Sequence, residues 1–206
     1  MNKIRVLVAD DHAMIRMGLV SLLGTVNSIE VVGEAENGVE ALAESQRLKP
    51  DIVLMDIVMP KQDGVEATAG IKAMLPSTRV ILLTSAASSD TIARGIQAGA
   101  FGAIHKSADL SALVDTIQIV YRGDTAISPE IQKLLREDPP VSTLSTRQNE
   151  ILQSIINGYS DRDIALALGI SVYTVKEHVK SLFAKIGAAN RAEAVAIALR
   201  KHLLKM

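Results

Sequence analysis

A few residues stand where chemistry could be done. Asp10 and Asp11 follow one apolar run, Asp56 follows another, Thr84 a third and Lys106 a fourth. Three carboxylates gathered at one place repel one another. Such a cluster holds only around a cation, with a raised pKa, or beside a lysine. A set of oxygen donors suits a hard ion, and Mg²⁺ with retained waters is the natural occupant. A metal, the Lys106 ammonium and the Thr84 hydroxyl around one carboxylate make a site for a phosphoryl group, whose equatorial charge the positive groups neutralise. Asp56 is then the nucleophile and forms an aspartyl phosphate. The competing explanation is that each Asp caps the helix after it. Three of them, with Thr and Lys ending two further runs, favour the site.

A second set lies near the C-terminus, where Lys176, Lys180 and Lys185 recur along one stretch with Thr174 and His178 at its start. Lysines and a helix N-terminus suit phosphate contacts. The bland alternative is a solvated lysine face.

These residues need elements to hold them. Apolar, β-branched runs occur at 4–9, 29–32, 52–55, 80–83 and near 101–104, with helical patterns between them at 12–23, 38–48, 64–75, 89–98 and 108–122. Strands apolar throughout are buried on both faces. Five βα units in sequence predict an α/β, doubly wound, five-stranded parallel sheet of the flavodoxin-like kind, with the candidate residues at its carboxyl edge. Glu137-Asp138-Pro139-Pro140 breaks the pattern. We therefore expect a domain over 1–122, a linker over 123–142 with a short helix near 129–136, and an all-α domain over 143–206. Its helices are expected at 146–157, 161–168, 172–186 and 191–204. Ser145 and Gln148 have the spacing of a capping box, and Gly169-Ile170-Ser171 makes a tight turn before the third helix. That is a helix-turn-helix pattern, whose second helix enters the major groove of double-stranded DNA.

Composition agrees with two tasks. Residues 1–142 carry 13 Lys/Arg against 18 Asp/Glu, net −5, and residues 143–206 carry 9 against 5, net +4. A basic rear half suits a polyanion. Aromatic residues are 2% of the 206, which disfavours function by base or sugar stacking. Cysteine is absent, excluding disulfides and thiolate chemistry. No apolar run approaches the ~20 residues that span a bilayer. Met1–Ala9 reads as a first strand rather than a signal peptide, so a cytoplasmic protein without membrane contact is expected.

The motifs have relatives. Val8-Ala9-Asp10-Asp11-His12, Asp56-Ile57-Val58-Met59-Pro60 with Asp63-Gly64, Leu83-Thr84-Ser85-Ala86 and Gly99-Ala100-Phe101-Gly102-Ala103-Ile104-His105-Lys106 resemble the receiver domain of two-component response regulators. The resemblance implies that a sensor histidine kinase phosphorylates Asp56. It implies that Asp11, Asp56 and the Val58 backbone carbonyl bind Mg²⁺, with Asp10 acting through water. It also implies that Thr84 and Lys106 move onto the phosphoryl oxygens. One position departs from the family pattern: Ala103 stands where an aromatic usually swings inward, and Phe101 is a doubtful substitute. In receivers the residues two after the phosphoacceptor and two after the Thr flank the attacking water. Here they are Val58 and Ala86, which orient no water, so slow self-dephosphorylation is expected.

Asn157-Gly158-Tyr159-Ser160-Asp161-Arg162-Asp163-Ile164-Ala165, Thr174-Val175-Lys176-Glu177-His178-Val179 and Lys185-Ile186-Gly187 look like the LuxR-type DNA-binding domain. The whole chain is similar to response regulators of the NarL/FixJ family. By that likeness Thr174, Lys176, Glu177 and Lys180 contact DNA, and Lys185 of the lysine stretch is expected to join them; His178 packs within the domain, and a homodimer occupies two half-sites. Gln148 replaces a usual Glu, and Glu177 could accept from cytosine N4. The implied protein is a phosphorylation-switched transcription regulator and not an enzyme. A regulator of the same architecture acting without phosphorylation is the alternative, kept open by Ala103. An aspartyl-phosphate hydrolase would need an inserted cap, and a quorum-type ligand sensor would need an aromatic-rich pocket.

Overall fold

The computed structural model describes residues 3–85, 88–141, 144–201 and 203. The chain divides into two compact units, Met1–Asp138 and Pro139–Met206.

In the first unit β1 (Ile4–Ala9), β2 (Ile29–Ala35), β3 (Ile52–Asp56), β4 (Arg79–Thr84), β5 (Gly102–His105) and β6 (Ala126–Ile127) form a parallel sheet in the order β2-β1-β3-β4-β5-β6. The crossovers are α1 (Ala13–Gly24), α2 (Gly38–Leu48), α3 (Gly64–Met74), α4 (Ser89–Gln97) and α5 (Leu110–Arg122). Strand residues alternate between two apolar clusters. Leu7, Val53, Met55, Val80 and Leu82 join Ala41 of α2, Ile71 of α3 and Ile92 of α4. Val6, Val8, Ile52, Leu54, Ile81 and Leu83 join Leu23 of α1 and Leu113 and Ile117 of α5. Each face of the sheet is thus covered, as continuous apolar strands require.

Two features depart from expectation. The described sheet has six strands, not five: Gly102 pairs with Ala126 and Ala103 with Ile127. A two-residue strand is too short to carry a period, so only the pairing reveals it. The stretch expected as linker over 123–142 is also mostly regular structure. It contains β6 and then α6 (Pro129–Glu137), whose Ile131, Leu134 and Leu135 pack into the cluster that holds Ala103 and Ile92. The first compact unit consequently reaches Asp138. There Ser89 Oγ at the start of α4 donates a 2.9 Å hydrogen bond to Asp138 Oδ2.

The second unit is helical: α7 (Thr146–Ile156), α8 (Asp161–Leu168), α9 (Val172–Ile186) and α10 (Arg191–Arg200). Ser145, Ser160, Ser171 and Asn190 each cap the following helix through a side-chain oxygen, and the expected capping box of Ser145 with Gln148 is present. Gly169 ends α8 with φ 64°, a conformation that favours glycine. Ile151, Leu152, Ile155, Ile164, Val175, Leu182, Ala194 and Ile197 make one core. No helix among the described residues is long and apolar enough to cross a membrane.

Candidate functional site

The front site is built at the carboxyl edge of the sheet. β1 ends at Ala9, so Asp10 and Asp11 follow it directly; Asp56 and Thr84 are the last residues of β3 and β4. Lys106 follows β5, and its N–H donates to the Thr84 carbonyl at 2.7 Å, continuing the ladder by one residue. The Lys106 ammonium lies 2.7 Å from Asp10 Oδ2 and 2.8 Å from Asp56 Oδ2. All of these side chains are buried except that of Asp11, which is 30% exposed.

The capping explanation fails for this trio. α1 has His12 at its N-cap with no side-chain cap bond, and α3 is capped by Asp63. The capping aspartates of the unit are Asp63 and Asp109, neither of them in the cluster.

Several backbone devices fix the geometry. The Asp10 side chain accepts from the His12 N–H at 2.9 Å. Arg16, buried on α1, donates to the Asp10 carbonyl at 2.7 Å and pairs with Glu34 near the end of β2 and Glu36 just after it. A Cβ on Gly64 would meet the Asp56 carbonyl oxygen at 2.0 Å, so the start of α3 can approach β3 only as glycine. His105 accepts or donates at Ser107 Oγ (2.6 Å) and reaches the Ser85 carbonyl (3.0 Å), joining the loops after β4 and β5.

Electrostatics follow from burial. Burial pushes the Asp56 carboxyl above the usual carboxylate range; Lys106 pulls it back in part, the Asp10 charge pushes it further up, and the Val58 N–H pulls it down. Burial opposes the Lys106 charge, but hydrogen bonds and charge from Asp10 and Asp56 outweigh it, and the ammonium is held more firmly than in water. One lysine therefore balances two buried carboxylates and leaves surplus negative charge. Ligand atoms of Asp10, Asp11, His12 and Asp56 all lie within 4.8 Å of one another. Asp10 Oδ2 is buried and has no aligned hydrogen bond among the described residues, although Lys106 approaches it as an ion partner. A cluster of carboxylates carrying surplus negative charge fits a hard divalent cation. Val58 is at the rim, 67% exposed, with its backbone N–H on Asp56.

Sequence reasoning missed two residues here. His12 pairs with Asp11 at 2.7 Å, and its signal was its place directly after the two aspartates. Arg16 was hidden because a lone cation in an apolar helix reads as an interruption. Ala103 is fully buried, beside Leu82 and Ile127. Phe101 belongs to the cluster on the other face, its ring under Lys72 Nζ at 4.8 Å, so it does not stand in for an aromatic at 103. Ala86 lies outside the described residues.

In the second unit Lys176, Glu177 and Lys180 of α9 are exposed and share one face. Thr174 is half-buried, its hydroxyl 2.8 Å from Ser171 Oγ in the helix cap. Lys185 is half-buried and donates to Gln148 Oε1 at 3.3 Å. Nine residues at roughly 100° each put it opposite Lys176, so it does not join the exposed lysines. His178 is half-buried. Sequence reasoning passed over Tyr173, 74% exposed; its spacing of three, four and seven residues to Lys176, Glu177 and Lys180 was the available signal.

Comparison with known proteins bears on both units. Residues 6–118 match the family described as "Response regulator receiver domain", and residues 142–198 match "Bacterial regulatory proteins, luxR family". The response regulator protein VraR of Staphylococcus aureus is 38% identical over 98% of this chain and 99% of its own. The crystal structure of response regulator ChrA, from a heme-sensing two-component system, is 35% identical over 99% of this chain and all of its own, with a TM-score of 0.59. An RcsB–DNA complex shares the fold at TM-score 0.72 and 23% identity, over 97% of this chain and 99% of its own. The chain belongs to the LuxR-type two-component response regulators, DNA-binding transcription regulators that join a receiver to a helix-turn-helix domain.

Proposed function

We propose that Asp56 is the phosphoacceptor and that its phosphorylation governs how the rear unit binds promoter DNA. The observation that carries this is Lys106 bridging Asp10 and Asp56 at 2.7 and 2.8 Å, with Asp11 in reach. In the transfer an Asp56 carboxylate oxygen attacks phosphorus while the bond from phosphorus to the donor breaks. In the cell the donor is a sensor histidine kinase. Mg²⁺ held by Asp10, Asp11, Asp56 and the Val58 carbonyl would supply the charge that lets two anions meet. Lys106 then leaves one of its carboxylates for a phosphoryl oxygen, and Thr84 donates its hydroxyl to another.

The exposed face of α9 is the groove-facing surface, with Lys176 and Lys180 toward phosphates and Glu177 toward a base edge; Thr174 and Lys185 act through the helix start and the α7 contact. A domain with so few lysines gains affinity by binding two half-sites as a homodimer. The RcsB structure is a DNA complex of a protein with this fold. Such a regulator works beside the chromosome, in the cytoplasm, without membrane contact and as a stoichiometric switch rather than an enzyme. The Val58 side chain is exposed and apolar and orients no water, so the phosphoryl group is long-lived; Val58→Asn should speed its loss severalfold.

The test is acid-labile phosphate on the full chain after incubation with acetyl phosphate and Mg²⁺, followed by mobility shifts on genomic fragments. Incorporation lost in Asp56→Asn, together with loss of the gain in DNA affinity, supports the reading. A second reading, a regulator acting without phosphorylation, is favoured by one observation: Ala103 is buried and has no rotamer to swing. DNA binding with no incorporation would decide for it.

A further inference from the structure

We infer that Tyr173 reads a thymine in the major groove, the apolar member of the base-reading set on α9. The inference rests on the DNA-binding role proposed for the rear unit. An aromatic side chain left in water forgoes the burial that normally holds it. Tyr173 is 74% exposed, in a chain with three Tyr and two Phe in all. Its hydroxyl has no hydrogen-bond partner among the described residues, and it has no ring contact there.

Its position is specific. It is the second residue of α9, one before Thr174, whose N–H is taken by the Ser171 cap. Residues at the start of a recognition helix reach base edges most deeply. Tyr173 shares its face with Lys176, Glu177 and Lys180, and none of these three has an ion pair or hydrogen bond among the described residues. Elsewhere in the same unit some charges are paired, Arg147 with Glu150 at 2.9 Å and Arg191 with Asp161 at 3.5 Å, while Arg162 and Arg200 are exposed with no ion pair among the described residues. A ring flanked by two uncommitted lysines suits a duplex. A protein partner is less suited, because the cores of protein interfaces are depleted in lysine.

The chemistry of the groove then chooses the base. The thymine 5-methyl is the apolar feature the major groove displays. The ring edge of Tyr173 packs on that methyl, and its hydroxyl reaches a phosphate. Glu177, one turn on, accepts from a cytosine amino group on the same face.

The test uses the full chain and a duplex enriched by that chain from a random-sequence library. Each thymine is replaced in turn by uracil, which removes only the methyl. Wild-type protein should lose about fourfold in affinity at one position, the worth of one methyl. Tyr173→Ala should lose at least as much on the thymine duplex and be indifferent to uracil at that position. Tyr173→Phe should keep the uracil sensitivity. The salt dependence of binding by Tyr173→Ala, and its melting temperature, should match wild type, because the lost hydroxyl is uncharged and the side chain is exposed. Wild-type affinity in Tyr173→Ala, or an unchanged uracil profile, overturns the assignment. So does a loss of self-association in Tyr173→Ala with DNA binding intact, which would make the face a contact between copies. Failure of the wild type to bind any duplex in a salt-dependent way is distinguishable, because Lys180→Ala is then silent too; it removes the DNA reading and this assignment with it.

Discussion

The two charged regions of this molecule are built on opposite rules. At the sheet edge the charges are buried and bound to one another: Lys106 is 9% exposed and touches two carboxylates. On the groove-facing side of α9, Lys176, Glu177 and Lys180 are exposed and have no ion pair or hydrogen bond among the described residues. The contrast follows from what each region handles. A phosphoryl group must meet a carboxylate, and that needs desolvated, preorganised positive charge. A duplex presents a regular row of phosphates, and a lysine already paired at home would have to break that pair before binding. Burial serves the first task and would defeat the second.

The comparison can be broken most decisively at the acid cluster. Asp56→Asn should abolish incorporation from acetyl phosphate, measured as acid-labile phosphate, while DNA binding of the unphosphorylated chain stays within twofold; residual incorporation on another residue would move the acceptor elsewhere. Next in size, Lys106→Met leaves two buried carboxylates without a cation. It should cost about 3–5 kcal/mol in urea unfolding of the first unit without metal, and millimolar Mg²⁺ should recover part of the loss. A loss below about 1 kcal/mol would show that water already solvates the site. The third variant sharpens the other side. Lys180→Ala should leave stability within about 0.5 kcal/mol and lower the slope of log affinity against log salt by about 1; an unchanged slope would take Lys180 off the phosphate. The smallest effect is expected at Gln148→Ala, which removes half of the capping box and an acceptor of Lys185. Thermal unfolding should report about 1 kcal/mol, confined to the second unit.

Much of this was legible in the residues because it repeats locally. Apolar strands, cap residues and strand-end aspartates each leave a signal within a few positions, and Gly38–Leu48, Asp161–Leu168 and Val172–Ile186 have the expected bounds. What was hidden depends on partners distant in sequence. β6 exists only because Ala126 and Ile127 pair with β5, and α6 joins the first unit through Ile131, whose cluster includes residues from β1 onward. Arg16 has meaning only once β2 brings Glu34 and Glu36 to it. On α9, counting lysines misled where counting angles did not: Lys185 belongs to the α7 contact, while Tyr173 belongs to the lysine face.

The bond from Ser89 to Asp138 has a mechanical consequence. Ser89 lies five positions after Thr84 and opens α4, while Asp138 is the final residue before Pro139-Pro140. Two prolines in succession are stiff and cannot absorb a twist by bending locally. A tug on the first turn of α4 must therefore stretch that tether or rotate the root of a rigid shaft. Either way, displacement at one rim of the sheet is handed to the chain at the point where it leaves the first body for the second.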